Sequence, residues 1–253
     1  MNLNEIDVVI LCGGRGARLG ALTVARPKPL LPVGGQPFLL RLMRQMAAQG
    51  FMRFVLAVHY RAEQFESFRH AYRHELPETQ VVVEPEPMGT GGEVRHALPW
   101  IRSRTCLVLN GDSWVSQPLA PMLAQHRQGH RALTAMAVSA GRVQGQARDK
   151  GVWTVGPRGE IRGFETIPLA SAEWVNAGVY LMERAIVTPW PQGCYRLEDC
   201  VSQRLARRRT GVFHSPGFLL DIGTPDCYAW ANQVFHGFDI PMPSGAVSYD
   251  PVC

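Results

Sequence analysis

Lysine is nearly absent from this sequence. Lys28 and Lys150 are the only two among 26 basic residues, so arginine carries most of the positive charge behind the net charge of +5. No apolar run approaches the roughly 20 residues of a membrane-spanning helix, so we expect no membrane insertion. The first residues, MNLNEIDVV, lack the charged-then-apolar order of a signal peptide. Together these absences predict a cytoplasmic protein.

Closely spaced cysteine pairs are also missing: the cysteines lie scattered at positions 12, 106, 194, 200, 227 and 253, without a C-x-x-C pair. This spacing favours reduced thiols over disulfides or a zinc site. The densest basic run, Arg207-Arg208-Arg209, is more typical of a helix end, where cations interact favourably with the helix dipole. We therefore expect no nucleic-acid partner.

Acidic residues are absent from Val8 to Ala62, although this window contains many arginines. Within it, the apolar run Val8–Cys12 predicts a buried strand. The glycine turn Gly13-Gly14-Arg15-Gly16 follows directly. Because glycines leave backbone N–H groups bare and able to surround an anion, this basic segment indicates a polyphosphate site.

Two common glycine loops do not fit this turn. The dinucleotide fingerprint G-x-G-x-x-G requires a third glycine where this chain has Leu19, and its acidic ribose partner is missing. The Walker loop requires Gly-Lys followed by Ser or Thr, which the segment also lacks. The turn therefore indicates a different class of nucleotide site.

The motif that fits is G-G-x-G-T-R-L followed by P-K-P-L, present here as Gly13–Leu19 and Pro27–Leu30. In these segments the chain resembles the sugar-phosphate nucleotidyltransferases, although Ala17 replaces the usual Thr. The resemblance implies that Arg18 and Lys28 are catalytic. It also implies nucleotide contacts from the end of the first strand and the turn, namely from Leu11, Gly13, Gly14, Arg15 and Gly16.

Apolar and amphipathic segments alternate along the first half of the chain. Strands are predicted near 8–12, 54–58, 81–83 and 106–109, and helices near 38–49, 62–74 and 91–100. This alternation predicts an α/β fold, a Rossmann-like mixed and mainly parallel sheet flanked by helices. The resemblance implies its nucleotidyltransferase version, which is glycosyltransferase-A-like.

Beyond residue 132 short strands follow one another closely. Those near 132–139, 151–156, 160–165 and 174–182 predict a smaller mixed sugar-binding lobe. A helix at 197–208, a strand at 218–222 and a helix at 225–234 are predicted next. We predict one domain over residues 1–237, with a mainly nucleotide-binding half at 1–131 and a mainly sugar-phosphate-binding half at 132–237. Residues 238–253 are predicted to form an extended tail, and we expect no β-helix domain after it.

Two aspartates are candidate magnesium ligands. Asp112 follows the predicted strand ending in Asn110-Gly111, and Asp221 follows Leu220 at another strand end. Ligands of parallel sheets sit at the carboxyl ends of strands, and Mg²⁺ takes one or two carboxylates together with phosphate oxygens. Alternatively, Asp112 only closes a turn and Asp221 caps a helix. The resemblance favours the metal pair.

The loop Glu84–Gly92 follows the third strand and, by the resemblance, holds the nucleobase and ribose. The resemblance implies nucleotide contacts from Glu84, Gly89, Thr90 and Gly92 in this loop, and from Asn110 and Gly111 after the fourth strand. A carboxylate accepts hydrogen bonds and cannot donate. Guanine offers two adjacent N–H donors, whereas uracil offers one between two carbonyls, so Glu84 predicts GTP as the substrate. The alternative is that Glu84 is a solvated strand end.

Sugar-phosphate contacts are implied by resemblance in the second half, at Lys150, Gly151, Glu165, Asn176, Gly178 and Asp199. In relatives, the residue after the Glu at position 165 is a lysine that binds the sugar phosphate, but this chain has Thr166. Lys150 or Arg162 is a candidate replacement, and spacing does not decide between them.

The reaction implied is transfer of a nucleoside monophosphate from GTP to a sugar 1-phosphate, with Mg²⁺ as cofactor and pyrophosphate as product. Within the family, the motifs Leu11–Gly14, Gly89–Gly92, Asn110–Ser113 and Asp221–Gly223 look most like bacterial D-glycero-D-manno-heptose 1-phosphate guanylyltransferases, which supply capsule, surface-layer or lipopolysaccharide synthesis. Mannose 1-phosphate guanylyltransferase, N-acetylmuramate 1-phosphate uridylyltransferase and a catalytically silent nucleotide-sugar sensor remain open. A homodimer is compatible with the sequence.

Overall fold

The computed structural model describes residues 3–145, 149–205 and 209–237. Strands of these segments are β1 (Asp7–Leu11), β2 (Pro32–Val33), β3 (Gln36–Pro37), β4 (Arg53–Val58), β5 (Glu78–Val83), β6 (Thr105–Asn110), β7 (Ser113–Val115), β8 (Leu133–Ser139), β9 (Val143–Gln144), β10 (Asp149–Val155), β11 (Ile161–Pro168), β12 (Trp174–Glu183), β13 (Thr210–Ser215) and β14 (Leu219–Asp221). The α-helices there are α1 (Phe38–Ala48), α2 (Ala62–Ala71), α3 (Gly89–Ala97), α4 (Ala120–Gln128), α5 (Arg184–Val187), α6 (Leu197–Arg204) and α7 (Pro225–Gly237).

Seven strands form the central sheet in the order β13-β8-β12-β6-β1-β4-β5. Strands β4, β1 and β6 pair in parallel, and β5 continues in the same direction beside β4. Strand β12 runs antiparallel to both of its neighbours, β6 and β8. The carboxyl ends of β1, β4, β5 and β6 therefore lie at one edge, next to the beginning of β12. This confirms the predicted mixed, mainly parallel α/β sheet.

Both faces of the sheet are buried, because successive side chains of a strand point to opposite sides. In β1, Val8 and Ile10 belong to one apolar cluster, while Val9 and Leu11 belong to the other. The first cluster includes residues of α1, α2 and α4, and the second includes residues of α3, α5 and α6. Burial on both faces explains why β1 is continuously apolar in sequence.

The structure shows that the smaller lobe contains fewer strands than predicted. Strands β8 and β12 were expected in that lobe, but they pair with β6 and β13 in the central sheet. The lobe retains the β10–β11 hairpin, and β7, β14 and β9 form a separate three-stranded sheet. The sequence missed this because strand pairing is non-local, whereas the spacing of strands along the chain is local. The predicted division of the chain at residue 132 remains a prediction.

Several helix bounds also differ from the predictions. Helix α2 ends at Ala71 rather than 74, and α3 ends at Ala97, where a 3-10 turn from Leu98 to Trp100 follows. Helix α4 and strand β13 were not predicted. Helix α6 ends at Arg204, and residues 206–208 and the tail at 238–253 lie outside the described segments. No helix in the described segments combines the length and apolar character needed to cross a membrane.

Candidate active site

The glycine turn lies at the carboxyl edge of the sheet, between the ends of two neighbouring strands. The Gly111 N–H donates to the Leu11 carbonyl at 3.0 Å, which joins the end of β6 to the end of β1. Gly14 and Arg15 are exposed, whereas Leu11 and Gly13 are buried. The guanidinium of Arg15 lies 5.7 Å from the centre of the Tyr60 ring. The turn thus presents its exposed residues next to Asn110-Gly111-Asp112, as the strand order requires.

Lys28 forms an ion pair with Asp112 across this edge. Lys28 begins a 3-10 turn that ends at Leu30, and its side chain is 14% exposed, against 22% for Asp112. The Ser113 hydroxyl donates to Asp112 Oδ1 at 3.0 Å. Burial raises the pKa of Asp112, but the Lys28 ammonium and the Ser113 hydrogen bond outweigh it, so the net pKa lies below its ordinary value.

Lys150 forms the second ion pair, with Asp221. The Gly223 N–H donates to Asp221 Oδ1 at 2.8 Å, which fixes that carboxylate. Arg18 Nη2 lies 3.1 Å from the point that a Cβ on Gly223 would occupy, so its guanidinium reaches the same corner. The two lysines of the whole chain therefore each hold one of the two predicted metal-binding aspartates.

The two aspartates are tied together through the backbone. The Ile222 N–H donates to the Asp112 carbonyl at 3.0 Å, and Asp221 pairs with Ser113 between β14 and β7. Among the described residues there is no cluster of three or more His, Cys, Asp or Glu side chains that could hold a metal ion. A pair of carboxylates beside the predicted phosphate-binding turn still fits Mg²⁺, because this ion takes one or two protein carboxylates together with phosphate oxygens and water.

Glu84 is not a solvated strand end, because its side chain is only 2% exposed. Its carboxylate lies against Gly13, where Oε1 is 2.9 Å from the position of a Cβ on that glycine. The Met88 N–H donates to Oε2 at 3.3 Å, and Oε1 has no hydrogen-bond partner within the described residues. Burial raises the pKa of Glu84 to about 7.

The segment Gly89–Gly92 packs against the loop before α6. The Gly91 N–H donates to the Tyr195 carbonyl at 3.0 Å, and Thr90 Oγ1 accepts from the Leu197 N–H at 2.9 Å. A Cβ on Gly92 would collide with the Gly193 carbonyl. These contacts give the glycines a structural role that the sequence did not indicate, while the nucleotide contacts assigned to Gly89, Thr90 and Gly92 remain predictions.

Asn176 and Gly178 lie where β12 is irregular, between the registers of Asn176 and Tyr180. The Asn176 amide donates to Tyr180 Oη at 2.7 Å, and its Oδ1 accepts from Trp153 Nε1 at 3.2 Å. The Tyr180 hydroxyl donates to Glu198 Oε1 at 2.8 Å. A network of protein side chains therefore orients Asn176.

The acidic residue of α6 that faces this network is Glu198, not the predicted Asp199. Glu198 is 8% exposed and buried against Tyr180, whereas Asp199 is exposed. Adjacent helical residues point about 100° apart, so Asp199 points away from the network that Glu198 joins, and its predicted sugar-phosphate contact remains a prediction. Sequence spacing alone did not identify which one.

The hairpin places the two candidate sugar-phosphate cations in different surroundings. Strand β10 places Gly151 opposite Thr166, with Lys150 one residue earlier and directed to Asp221. Arg162 instead pairs with Glu160 at 2.8 Å and is exposed. Lys150 therefore lies in the candidate site, and Arg162 does not. The predicted contact residue Glu165 is exposed on β11 opposite Val152.

The family model described as "Nucleotidyl transferase" matches residues 7–236. The chain belongs to the nucleotidyl transferase family. This confirms the resemblance found in the turn and the P-K-P-L motif.

Individual members of the nucleotidyl transferase family differ in how much of their length this chain covers. A mannose-1-phosphate guanylyltransferase of Mycobacterium tuberculosis is 33% identical over 76% of this chain, which spans 53% of that protein. D-glycero-alpha-D-manno-heptose 1-phosphate guanylyltransferase of Campylobacter jejuni is 25% identical over 88% of this chain and 97% of its own length. The counterpart from Aneurinibacillus thermoaerophilus is 26% identical over 90% of this chain and 97% of its own length.

Solved structures show the same fold. HddC from Yersinia pseudotuberculosis, complexed with GMP-PN, superimposes with a TM-score of 0.77 at 24% identity and covers 91% of this chain and 99% of its own. A putative glucose-1-phosphate thymidylyltransferase from Bacillus anthracis superimposes with a TM-score of 0.78 at 19% identity, covering 92% of this chain and 96% of its own. These likenesses support the glycosyltransferase-A-like version of the α/β fold.

Proposed function

We propose that this protein transfers GMP from GTP to a sugar 1-phosphate, D-glycero-α-D-manno-heptose 1-phosphate, and releases pyrophosphate. The observation that carries the proposal is the meeting of Lys28–Asp112 and Lys150–Asp221 beside the glycine turn. Full-length similarity to two heptose 1-phosphate guanylyltransferases supports the sugar. Similarity at 33% identity to a mannose 1-phosphate guanylyltransferase makes mannose 1-phosphate the second candidate.

The reaction needs no protein nucleophile. An oxygen of the sugar 1-phosphate forms a bond to the α-phosphorus of GTP, and the bond from that phosphorus to the bridging oxygen breaks, so its electron pair leaves with pyrophosphate. The protein therefore acts by positioning two anions and by neutralising the charge that develops between them. A cluster of fixed cations in a partly buried site suits this role.

The cations of the site have separate roles in this proposal. Arg18 and the exposed part of the turn, Gly14–Gly16, bind the triphosphate, and Lys28 stabilises charge at the α-phosphate. Lys150 binds the phosphate of the sugar. Asp112 and Asp221 would hold Mg²⁺, which supplies charge neutralisation at the phosphate oxygens. Because each lysine is paired with one of these carboxylates, both ammonium groups are already held at the reacting centre before substrate arrives.

Glu84 supports guanine as the base. A buried carboxylate with one unpartnered oxygen is costly to leave unsatisfied, and the two adjacent N–H donors of guanine would satisfy it. Uracil would place a carbonyl beside the same carboxylate. We expect Glu84→Gln to lose much of the preference for GTP over UTP, and an unchanged preference would contradict this role for Glu84.

The substrates indicate where the reaction takes place and which biosynthetic pathways use its product. GTP is a cytoplasmic metabolite, so we propose a cytoplasmic enzyme whose GDP-heptose product supplies capsule, surface-layer or lipopolysaccharide synthesis. The proposal involves no nucleic acid and no membrane. A homodimer remains a prediction.

The deciding experiment measures pyrophosphate release with Mg²⁺, crossing GTP, UTP, CTP, dTTP and ATP with the 1-phosphates of heptose, mannose, glucose and N-acetylmuramate. Release from GTP with heptose 1-phosphate alone supports the full proposal. Release from GTP with mannose 1-phosphate selects the second candidate, and release from UTP refutes the argument from Glu84. Tight nucleotide binding with no release from any pair would identify a silent nucleotide-sugar sensor.

A further inference from the structure

A second buried carboxyl group, that of Glu93, lies beside Glu84 under the glycine turn. Glu93 is in α3 and is 5% exposed. Its Oε1 is 2.8 Å from the position of a Cβ on Gly13, and Glu84 Oε1 is 2.9 Å from the same position. The two carboxyl groups therefore occupy the space beside Gly13, which explains why this position of the turn has no side chain.

Each of the two carboxyl groups has one oxygen without a partner. Within the described residues, Glu84 Oε1 and Glu93 Oε2 accept no hydrogen bond. The Gly13 backbone N–H faces the Glu93 carboxyl group and lowers its pKa, which opposes the effect of burial. The nucleotide contact assigned to Gly13 remains a prediction, as do those of Gly14, Arg15 and Gly16.

Two neighbouring carboxyl groups in a buried site repel each other when both are ionised, which favours the retention of one proton between them at neutral pH. Burial and the adjacent Glu84 raise the pKa of Glu93 to about 8. The charged and titratable groups around the pair are His59 at the end of β4, Asp112 and Lys28 across the site, and the buried Cys12 thiol. On another side of α3, the ring of Tyr195 packs against Gly91.

We infer that Glu93 is a positioning residue for nucleobase recognition: it binds the Gly13 amide and, through a proton shared with Glu84, holds the Glu84 carboxylate in the orientation that accepts from guanine. The inference rests on the proposed function, because it assigns the same base to Glu84. It adds a specificity-determining residue from a different element, α3. The sequence did not indicate Glu93, since an acidic residue in the first turns of a helix is ordinarily solvated there.

The test is the dissociation constant of GTP with Mg²⁺, measured by calorimetry from pH 7 to pH 9. Loss of the shared proton places two ionised carboxylates side by side, so GTP binding to the unmodified protein is expected to weaken about tenfold by pH 9. Glu93→Gln keeps a hydrogen-bond donor toward Glu84 and cannot ionise. We expect it to bind GTP normally at pH 7 and to remove the weakening.

Control variants separate this effect from others. Glu86→Gln changes an exposed carboxylate of the same loop, and Cys12→Ala removes the nearby thiol, so both should keep the pH dependence of the unmodified protein. Glu93→Leu removes the donor and should weaken GTP binding at least tenfold at every pH. If that variant does not fold, as circular dichroism would show, Glu93→Gln decides alone.

The inference is overturned if Glu93→Gln and the unmodified protein show the same pH profile. Titration of GTP itself cannot explain a difference, because both proteins are measured with the same nucleotide. Binding also separates this inference from the proposed reaction. If GTP binds with the expected profile but no sugar 1-phosphate yields pyrophosphate, the reaction is wrong and the role of Glu93 stands.

Discussion

Lys150 offers the sharpest test of how this site holds the phosphate of the sugar. It lies on β10 one residue before Gly151, which pairs with Thr166, where the family ordinarily has a gripping lysine. Its side chain is 15% exposed, and its ammonium pairs with Asp221. We expect Lys150→Gln to remove one charge-assisted hydrogen bond to the sugar phosphate, worth about 1.5–3 kcal/mol. This corresponds to a KM for the sugar 1-phosphate that rises roughly 10- to 150-fold.

The assay is steady-state pyrophosphate release, with the KM measured separately for GTP and for the sugar 1-phosphate. The KM for GTP should change little, since Lys150 is assigned to the other substrate. Arg162→Gln is the matched control, because Arg162 is in the same hairpin but is exposed and pairs with Glu160. Adding Thr166→Lys to Lys150→Gln should restore part of the lost affinity, because it returns an ammonium to the paired strand.

Two results would refute the reasoning about Lys150. One is an unchanged KM for the sugar 1-phosphate in Lys150→Gln, with the fold verified by thermal melting. The other is a rise in that KM in Arg162→Gln, which would assign the phosphate to the exposed guanidinium instead.

Three further predictions concern Asp112, which is a candidate metal ligand, Gly178 in the irregular part of β12, and Asp7 at the start of β1. Asp112→Asn should lower kcat about 100-fold with a smaller effect on thermal stability, and a normal kcat would remove Asp112 from the site. Gly178→Ala places a Cβ against the Asn110 amide at a φ of +69°, so it should lower the free energy of unfolding by about 1–3 kcal/mol in urea titrations, and no loss would contradict the strain. Asp7→Asn disrupts a buried carboxylate that pairs with Arg53 at 2.6 Å, and should cost about 3 kcal/mol at pH 7. Burial raises the pKa of Asp7, but its hydrogen bonds hold the net pKa below the ordinary value. The stabilisation by this carboxylate is therefore present above pH 3.8 and is lost as the pH falls below it. In urea titrations the free energy of unfolding of the variant should fall less steeply with acid than that of the unmodified protein, and identical slopes would contradict this.

Much of the fold and part of the site could be predicted from sequence because the relevant patterns are local. The apolar run of β1 indicated a strand buried on both faces, and the structure confirms it. Asp112 and Asp221 follow strand ends, and the structure ties them together through Ile222. The P-K-P-L motif placed Lys28, whose ion pair with Asp112 joins two segments far apart in the chain.

Other features depended on which elements meet in space. Strands β8 and β12 look like part of a separate lobe along the chain, yet pairing with β6 places them in the central sheet. Glu198 and Asp199 are adjacent in sequence, but only Glu198 turns toward Tyr180. Sequence alone does not show which residue at the start of a helix is buried, because that depends on the element that packs against the helix.

The sequence by itself determined the family motif, the mainly parallel α/β sheet and the strand ends that carry the aspartates. Each of these features depends on a short run of residues that are close together in the chain. Only the tertiary structure decided that Lys150 rather than Arg162 reaches Asp221, and that Glu93 is buried against Glu84. These contacts join residues from separate elements, and the burial that raises the pKa of Glu84 and of Glu93 exists only once those elements have packed together.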